Sequence, residues 1–132
     1  MRLEIIKKFF YMGRNCIVIK IDNSIIRDKI KDIQIDDWYC GYVEMSLNPF
    51  KNEFKSDYGK YNLSTEITYQ GDLSHFPKNN NWLYKLISFL IGRTYIGFDT
   101  AHYYNKENPE TNTADAVEKK CKDIVNELNV RR

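Results

Sequence analysis

Histidine is nearly missing from this chain: 132 residues hold two, His75 and His102, beside three cysteines, three prolines and six glycines. A mononuclear metal centre of about three protein ligands would have to join both histidines to Asp57, Asp72 or Asp99, at spacings that match no metal motif. Cys16, Cys40 and Cys121 are odd in number and lack CxxC spacing. That speaks against a disulfide framework or a zinc knuckle, and for small apolar fillers in a reducing cytosol. The chain has neither a GxxxxGK[ST] nor a GxGxxG phosphate loop, no GxSxG elbow, and no histidine near Cys40 or Cys121. An ordinary NTPase, a dehydrogenase and a motif-bearing serine or cysteine hydrolase are therefore not indicated, and no cofactor is expected.

Charge of one sign is also lacking. Twenty basic side chains against eighteen acidic ones leave a net charge of +2, too little to point to a nucleic-acid or membrane surface. The N-terminal MRLEIIKKFF has no signal-peptide core, and the most apolar stretch, 82–91, carries Lys85 and falls short of the ~20 residues a membrane span needs. The expectation is a soluble cytoplasmic protein. Its 42% hydrophobic and 29% charged residues are a globular mixture. A chain of this length buries roughly two-thirds of its unfolded surface, so one domain with a true core is expected over residues 1–132.

What is present has a readable order. RLEIIKKFFYM, a turn at Gly13-Arg14-Asn15 and CIVIKID form a hairpin, with Cys16, Val18 and Lys20 on one face of a half-buried strand and Ile17, Ile19 and Ile21 on the other. Isoleucines at 26, 30 and 33 behind Asn23 or Ser24 predict a helix over 24–35. WYCGYVEMS predicts a strand over 38–46, with Gly41 marking a bulge or a close backbone approach. Residues 47–62 hold no period and are expected to form a loop. STEITYQ predicts another strand, 79–92 an apolar helix ending at Gly92 that serves as core or as a homo-oligomer face, and TYIGFDT a last strand. Beyond a polar loop, Ala114, Val117, Cys121, Ile124, Val125 and Leu128 recur at helical spacing behind Thr113 as N-cap. The fold class is α+β: a mainly antiparallel sheet of about five strands with two to three helices on one face, including this C-terminal amphipathic helix.

The richest chemical stretch is GFDTAHYYN, residues 97–105. On one straight strand Asp99 and His102 would point to opposite faces. They meet only if the strand ends near Thr100 and the chain turns. An aspartate beside a histidine orients the imidazole and stabilises its cation, which suits either acid–base or ligand-contacting work or a structural hydrogen bond at a strand's end. Aromatics are the other signal, with ten Tyr, seven Phe and two Trp. Phe50, Phe54, Tyr58, Tyr61, Tyr103 and Tyr104 fall in expected loops with Lys51, Lys55 and Lys60 interleaved, a combination that stacks bases and meets phosphate, or else folds over the core as lids.

CGYVEM at 40–45, ITYQG at 67–71 and YIGFDTAH at 95–102 together resemble a family of small phage and prophage proteins in which CGYV, an HGG-containing LTY stretch and GFDxxH recur. Here Ser64-Thr65-Glu66 stands in place of the His-Gly-Gly run, and Asn48-Pro49 in place of a His-Pro pair. The resemblance implies an accessory protein that binds and sequesters a nucleotide-derived immune signal in the host cytosol, antagonising host defence. Two alternatives are a phosphodiesterase or glycosidic hydrolase acting on such a nucleotide, and an inhibitor that docks on a host defence protein through loop 47–62. For a nucleotide binder, Asp99 and His102 are expected to contact ribose hydroxyls, Tyr69 or Tyr103 to stack a base, and Arg93 or Lys60 to meet phosphate.

Overall fold

Met12 and Gly13 set the first reversal of the chain. Both have positive φ, 47° and 90°, the pair of values a two-residue turn matched to strand twist requires, and glycine reaches its own without a Cβ clash. The computed structural model, which describes residues 2–30, 35–45, 63–71 and 95–130, thus places the turn one residue earlier than expected. Arg14 and Asn15 already belong to β2 (Arg14–Asp22), which pairs antiparallel with β1 (Arg2–Tyr11). The ladder is broken by one bulge: Ile5 faces Ile19, Lys7 faces Val18, and Ile6 is left over.

β3 (Trp38–Glu44), β4 (Tyr69–Gly71) and β5 (Tyr95–Asp99) complete a five-stranded sheet in the order β1-β2-β3-β5-β4, antiparallel at every step. Among the described residues three helices accompany it: α1 (Ser24–Lys29), α2 (Tyr103–Glu107) and α3 (Ala114–Asn129). The fold is therefore α+β, with the expected C-terminal helix. Thr113 caps α3 by accepting the Ala116 N–H at 3.1 Å.

α3 covers one face of the sheet. Val117, Cys121, Ile124, Val125 and Leu128, all fully buried, pack on Cys16, Val18, Val43, Met45, Ile96 and Phe98. On the opposite face Ile17, Ile19, Ile21, Tyr42 and Tyr95 form a second buried cluster. β2 is consequently buried on both faces rather than half-buried, because it lies between β1 and β3 and its small residues Cys16 and Val18 fit beneath α3. Gly41 marks a close approach, not a bulge: its ladder with β2 is regular, and a Cβ there would lie 2.4 Å from Phe98 Cζ and 2.8 Å from Cys121 Sγ.

Three expectations change in extent. α1 ends at Lys29, with Ile30 already extended, rather than running to 35. Asn23 precedes it without capping: its side chain donates to Asp36 O at 3.0 Å, and Asp22 Oδ1 takes the Ser24 N–H at 2.8 Å instead. Of 64–70 only Tyr69 and Gln70 are in a strand, while Leu63 and Ile67 pack against the α3 cluster. The expected polar loop before α3 contains α2 and a 3-10 turn at Pro109–Thr111. The expected loop 47–62 and helix 79–92 lie outside the described residues. Among the described residues no helix is long and apolar enough to cross a membrane.

Candidate functional site

β5 ends at Asp99 and the chain turns at Thr100. This threonine is 4% exposed. Its N–H donates to Tyr39 O at 3.0 Å, its hydroxyl accepts the Tyr39 N–H at 2.9 Å, and it donates to Asn112 Oδ1 at 2.5 Å. Asn112 in turn donates to Asp37 O at 2.9 Å. The turn is thereby locked to the start of β3 and to the segment leading into α3. It swings His102 back over the strand end, so that Nε2 lies 3.1 Å from Asp99 Oδ1.

Asp99 holds the ring through a fixed carboxylate. Oδ1 also accepts the Ala101 N–H at 3.0 Å, and Oδ2 accepts the Thr68 hydroxyl at 3.1 Å. His102 occupies the N-cap position of α2, its carbonyl accepting the N–H groups of Asn105 and Lys106 at 3.0 and 3.2 Å. Backbone and side chain are both constrained, yet the side chain remains 45% exposed. A positioned, solvent-facing imidazole can hydrogen-bond a ligand or exchange a proton with it.

Two open clefts flank the pair. The first, about 320 Å³, includes Asp36, Asp37, Trp38, Ala101, His102 and Lys106 in its lining. The second, about 260 Å³, includes Glu66, Asp99, His102, Tyr104, Asn105 and Lys120, with Phe98 beneath. Trp38 packs with the Ile17–Ile19 cluster, whereas Phe98 belongs to the α3 cluster. His102 lines both clefts.

Local charge follows the contacts. The Arg27 guanidinium, 2.8 Å from Asp37 Oδ1, holds that carboxyl below the usual aspartate value, assisted by the Asn23 N–H. Burial pushes the Cys40 thiol up to about 11, with the Asp99 charge adding to it, so it stays protonated near neutral pH. Burial likewise raises Cys16 to about 12 and lifts Cys121 strongly. Among the described residues no group of three or more His, Cys, Asp or Glu is gathered to hold a metal ion.

Of the residues expected to act together, the structure brings Asp99 and His102 into contact. Tyr69 goes elsewhere: its ring packs edge-on against Tyr42, centroids 5.7 Å apart, and it is not in the lining of either cleft. The pleat sends it with Gly97, its partner across the ladder, to the face away from α3. Tyr103 opens α2, but its side chain, like Lys60 and Arg93, lies outside the described residues. Trp38, Lys106, Asn105 and Lys120 were not legible as site residues. Trp38 reads as a strand aromatic and Lys120 as one of several lysines on a solvated helix face. Only Tyr104, next to the GFDxxH stretch, carried a local signal.

Comparison of the chain with family models, with curated proteins and with solved structures finds no match.

Proposed function

We propose that this protein binds a nucleotide-type small molecule at the end of β5 and holds it intact, as a phage-type accessory protein that sequesters a nucleotide-derived immune signal in the host cytosol. One observation carries the binding reading: His102, held by Asp99 and still exposed, lines two open clefts at once. With Nε2 turned to Asp99, the other ring nitrogen makes no hydrogen bond among the described residues and can meet a ligand hydroxyl. Half-buried Trp38 and exposed Tyr104 offer π-faces for a base, and Lys106 and Lys120 offer ammonium groups for phosphate. The immune-signal role rests on the resemblance alone.

The same Asp–His pair favours a second reading, hydrolysis with His102 as general acid or base and Asp99 as its orienter. Two features weigh toward holding. Cys40, the thiol paired across the ladder with Asp99, is kept protonated and is a poor nucleophile. At the position of the related His-Gly-Gly run, Ser64 is tied to Glu127 through its N–H at 3.1 Å and its hydroxyl at 3.0 Å, and Thr65 and Glu66 border the second cleft without an imidazole.

The test is native mass spectrometry of the protein mixed with cyclic and ADP-ribose-type nucleotides, followed by denaturation and analysis of what is released. Intact nucleotide released from wild type, and none from folded Asp99→Ala and His102→Ala variants, is the expected result. A chemically altered nucleotide establishes the hydrolytic reading instead. Undiminished retention by both variants removes the site from the end of β5.

A further inference from the structure

We infer that this protein self-associates through β1, whose outer edge pairs antiparallel with β1 of a second copy across a two-fold axis at the Ile6 bulge, Glu4 of each copy facing Lys7 of the other. The inference is independent of the nucleotide-binding reading. β1 is ten residues long and stands at the margin of the sheet, and among the described residues no strand lies beyond it. Arg2, Glu4, Ile6, Lys7 and Phe10 are exposed along it, Ile6 by 41% and Phe10 by 69%. A long edge strand with apolar side chains in water is a template for another strand.

The bulge makes this edge complementary to itself. On an unbroken strand Glu4 and Lys7 would point to opposite faces. Here Glu4 is paired with Lys20 and Lys7 with Val18, and Lys20 and Val18 share the face of β2 that lies under α3. Lys7 accordingly forms an ion pair with Glu118 of α3. Leu3 and Lys8, paired with Ile21 and Ile17, both point to the opposite face. A two-fold axis perpendicular to the sheet keeps each face with itself. One register then sets Glu4 against Lys7, Leu3 against Lys8 and Ile5 against Ile6, with Glu4 and Lys7 on one face and Leu3 and Lys8 on the other. The backbone agrees: Tyr11 and Arg14 pair with each other across the two-residue turn, and alternation from that pair turns the N–H and C=O groups of Lys8, and beyond the bulge of Leu3, to the outer edge.

Charge selects this register over its neighbours. A shift of two residues one way sets Arg2 against Lys7, two cations, and the other way sets Glu4 against Phe9. Lysines and a bulge on an edge strand keep foreign strands away, whereas Glu4 of an identical chain answers Lys7. By symmetry the charged pair occurs twice, flanking a centre of Ile5 and Ile6 that association covers.

Sedimentation equilibrium of the full chain at low salt, up to submillimolar concentration, is expected to show a reversible monomer–dimer equilibrium. Glu4→Lys and Lys7→Glu each set like charges opposite one another twice and should raise the dissociation constant about tenfold or more, with circular dichroism unchanged. Mixed in equal amounts, the two variants carry complementary edges and should form a heterodimer about as tightly as wild type. In a mixture of isotope-labelled and unlabelled wild type, isotope-filtered NMR should find the Glu4 Hα close to the Lys7 Hα of the other copy. A wild type that stays monomeric overturns the inference, as does a dimer that both variants keep, or two monomeric variants whose mixture fails to associate. A dimeric wild type without the Glu4–Lys7 contact overturns it whatever the variants do.

Discussion

Replacing Gly41 with alanine adds one methyl group where the sheet and α3 leave no room for it. The new Cβ would stand 2.4 and 2.6 Å from two carbons of the Phe98 ring and 2.8 Å from Cys121 Sγ. Carbon atoms in contact prefer about 3.5–4.0 Å, so the ring must move by roughly 1 Å. Phe98 is 4% exposed and Cys121 fully buried, with close-packed neighbours behind them. Overpacking of this kind costs about 1–3 kcal/mol, which for a domain of this size lowers Tm by roughly 4–12 °C. The assay is a double-mutant cycle by urea denaturation with Gly41→Ala, Phe98→Leu and their combination. Leucine gives up the part of the ring the methyl strikes, so the double variant should be more stable than the sum of single effects by about 1 kcal/mol or more. Wild-type stability in Gly41→Ala, or simple additivity in the cycle, refutes the steric account. Because Phe98 also floors the second cleft, a ring displaced by Gly41→Ala should weaken ligand binding in a way the cycle partly restores.

Two further outcomes are open to measurement. Thr113→Ala removes the side-chain acceptor of the Ala116 N–H and should cost about 1 kcal/mol, with a matching fall in thermal midpoint; an unchanged midpoint would mean that water or a shifted first turn replaces the cap. The Glu118 carboxyl is held below the usual glutamate value first by Lys7, with which it forms an ion pair, and then by Lys122. Since its folded value is depressed, its contribution to stability is present above the ordinary value of about 4.3 and is lost as pH falls through the folded one. Carboxyl NMR should find its midpoint moving up in Lys7→Met, with a shallower loss of stability in acid; a midpoint that stays put would show that the pair does not hold in solution.

α3 was legible because its apolar spacing, its N-cap and its length all agree, and nothing tertiary competes with them. The hairpin was legible except for the placing of its turn, where Gly13 was read as the first turn residue although the tight geometry requires it as the second. The polar segment 103–112 concealed its helical turns, since they are held by side chains and not by an apolar stripe: Asn108 donates to Tyr104 O at 2.9 Å, and Thr111 to Asn108 O at 2.6 Å. At the site, contact between Asp99 and His102 followed from a strand that had to end, and local sequence contains that information. The gathering of Trp38 and Lys120 around His102 does not exist in any window of sequence. It arises because β3 pairs with β5 and α3 crosses the far face, so that residues 82 positions apart border two clefts with one histidine in common.

The bulge at Ile6 changes the parity of β1. Before it the odd-numbered Leu3 and Ile5 join the cluster around Ile19, and after it the odd-numbered Phe9 and Tyr11 join the cluster beneath α3. Counting by twos along this strand therefore names one side of the protein and then the other. A chain lacking residue 6 would keep every remaining partner pair and every facing, as a regular ladder. Along this margin of the sheet the length of the chain is freer to change than the character of its residues.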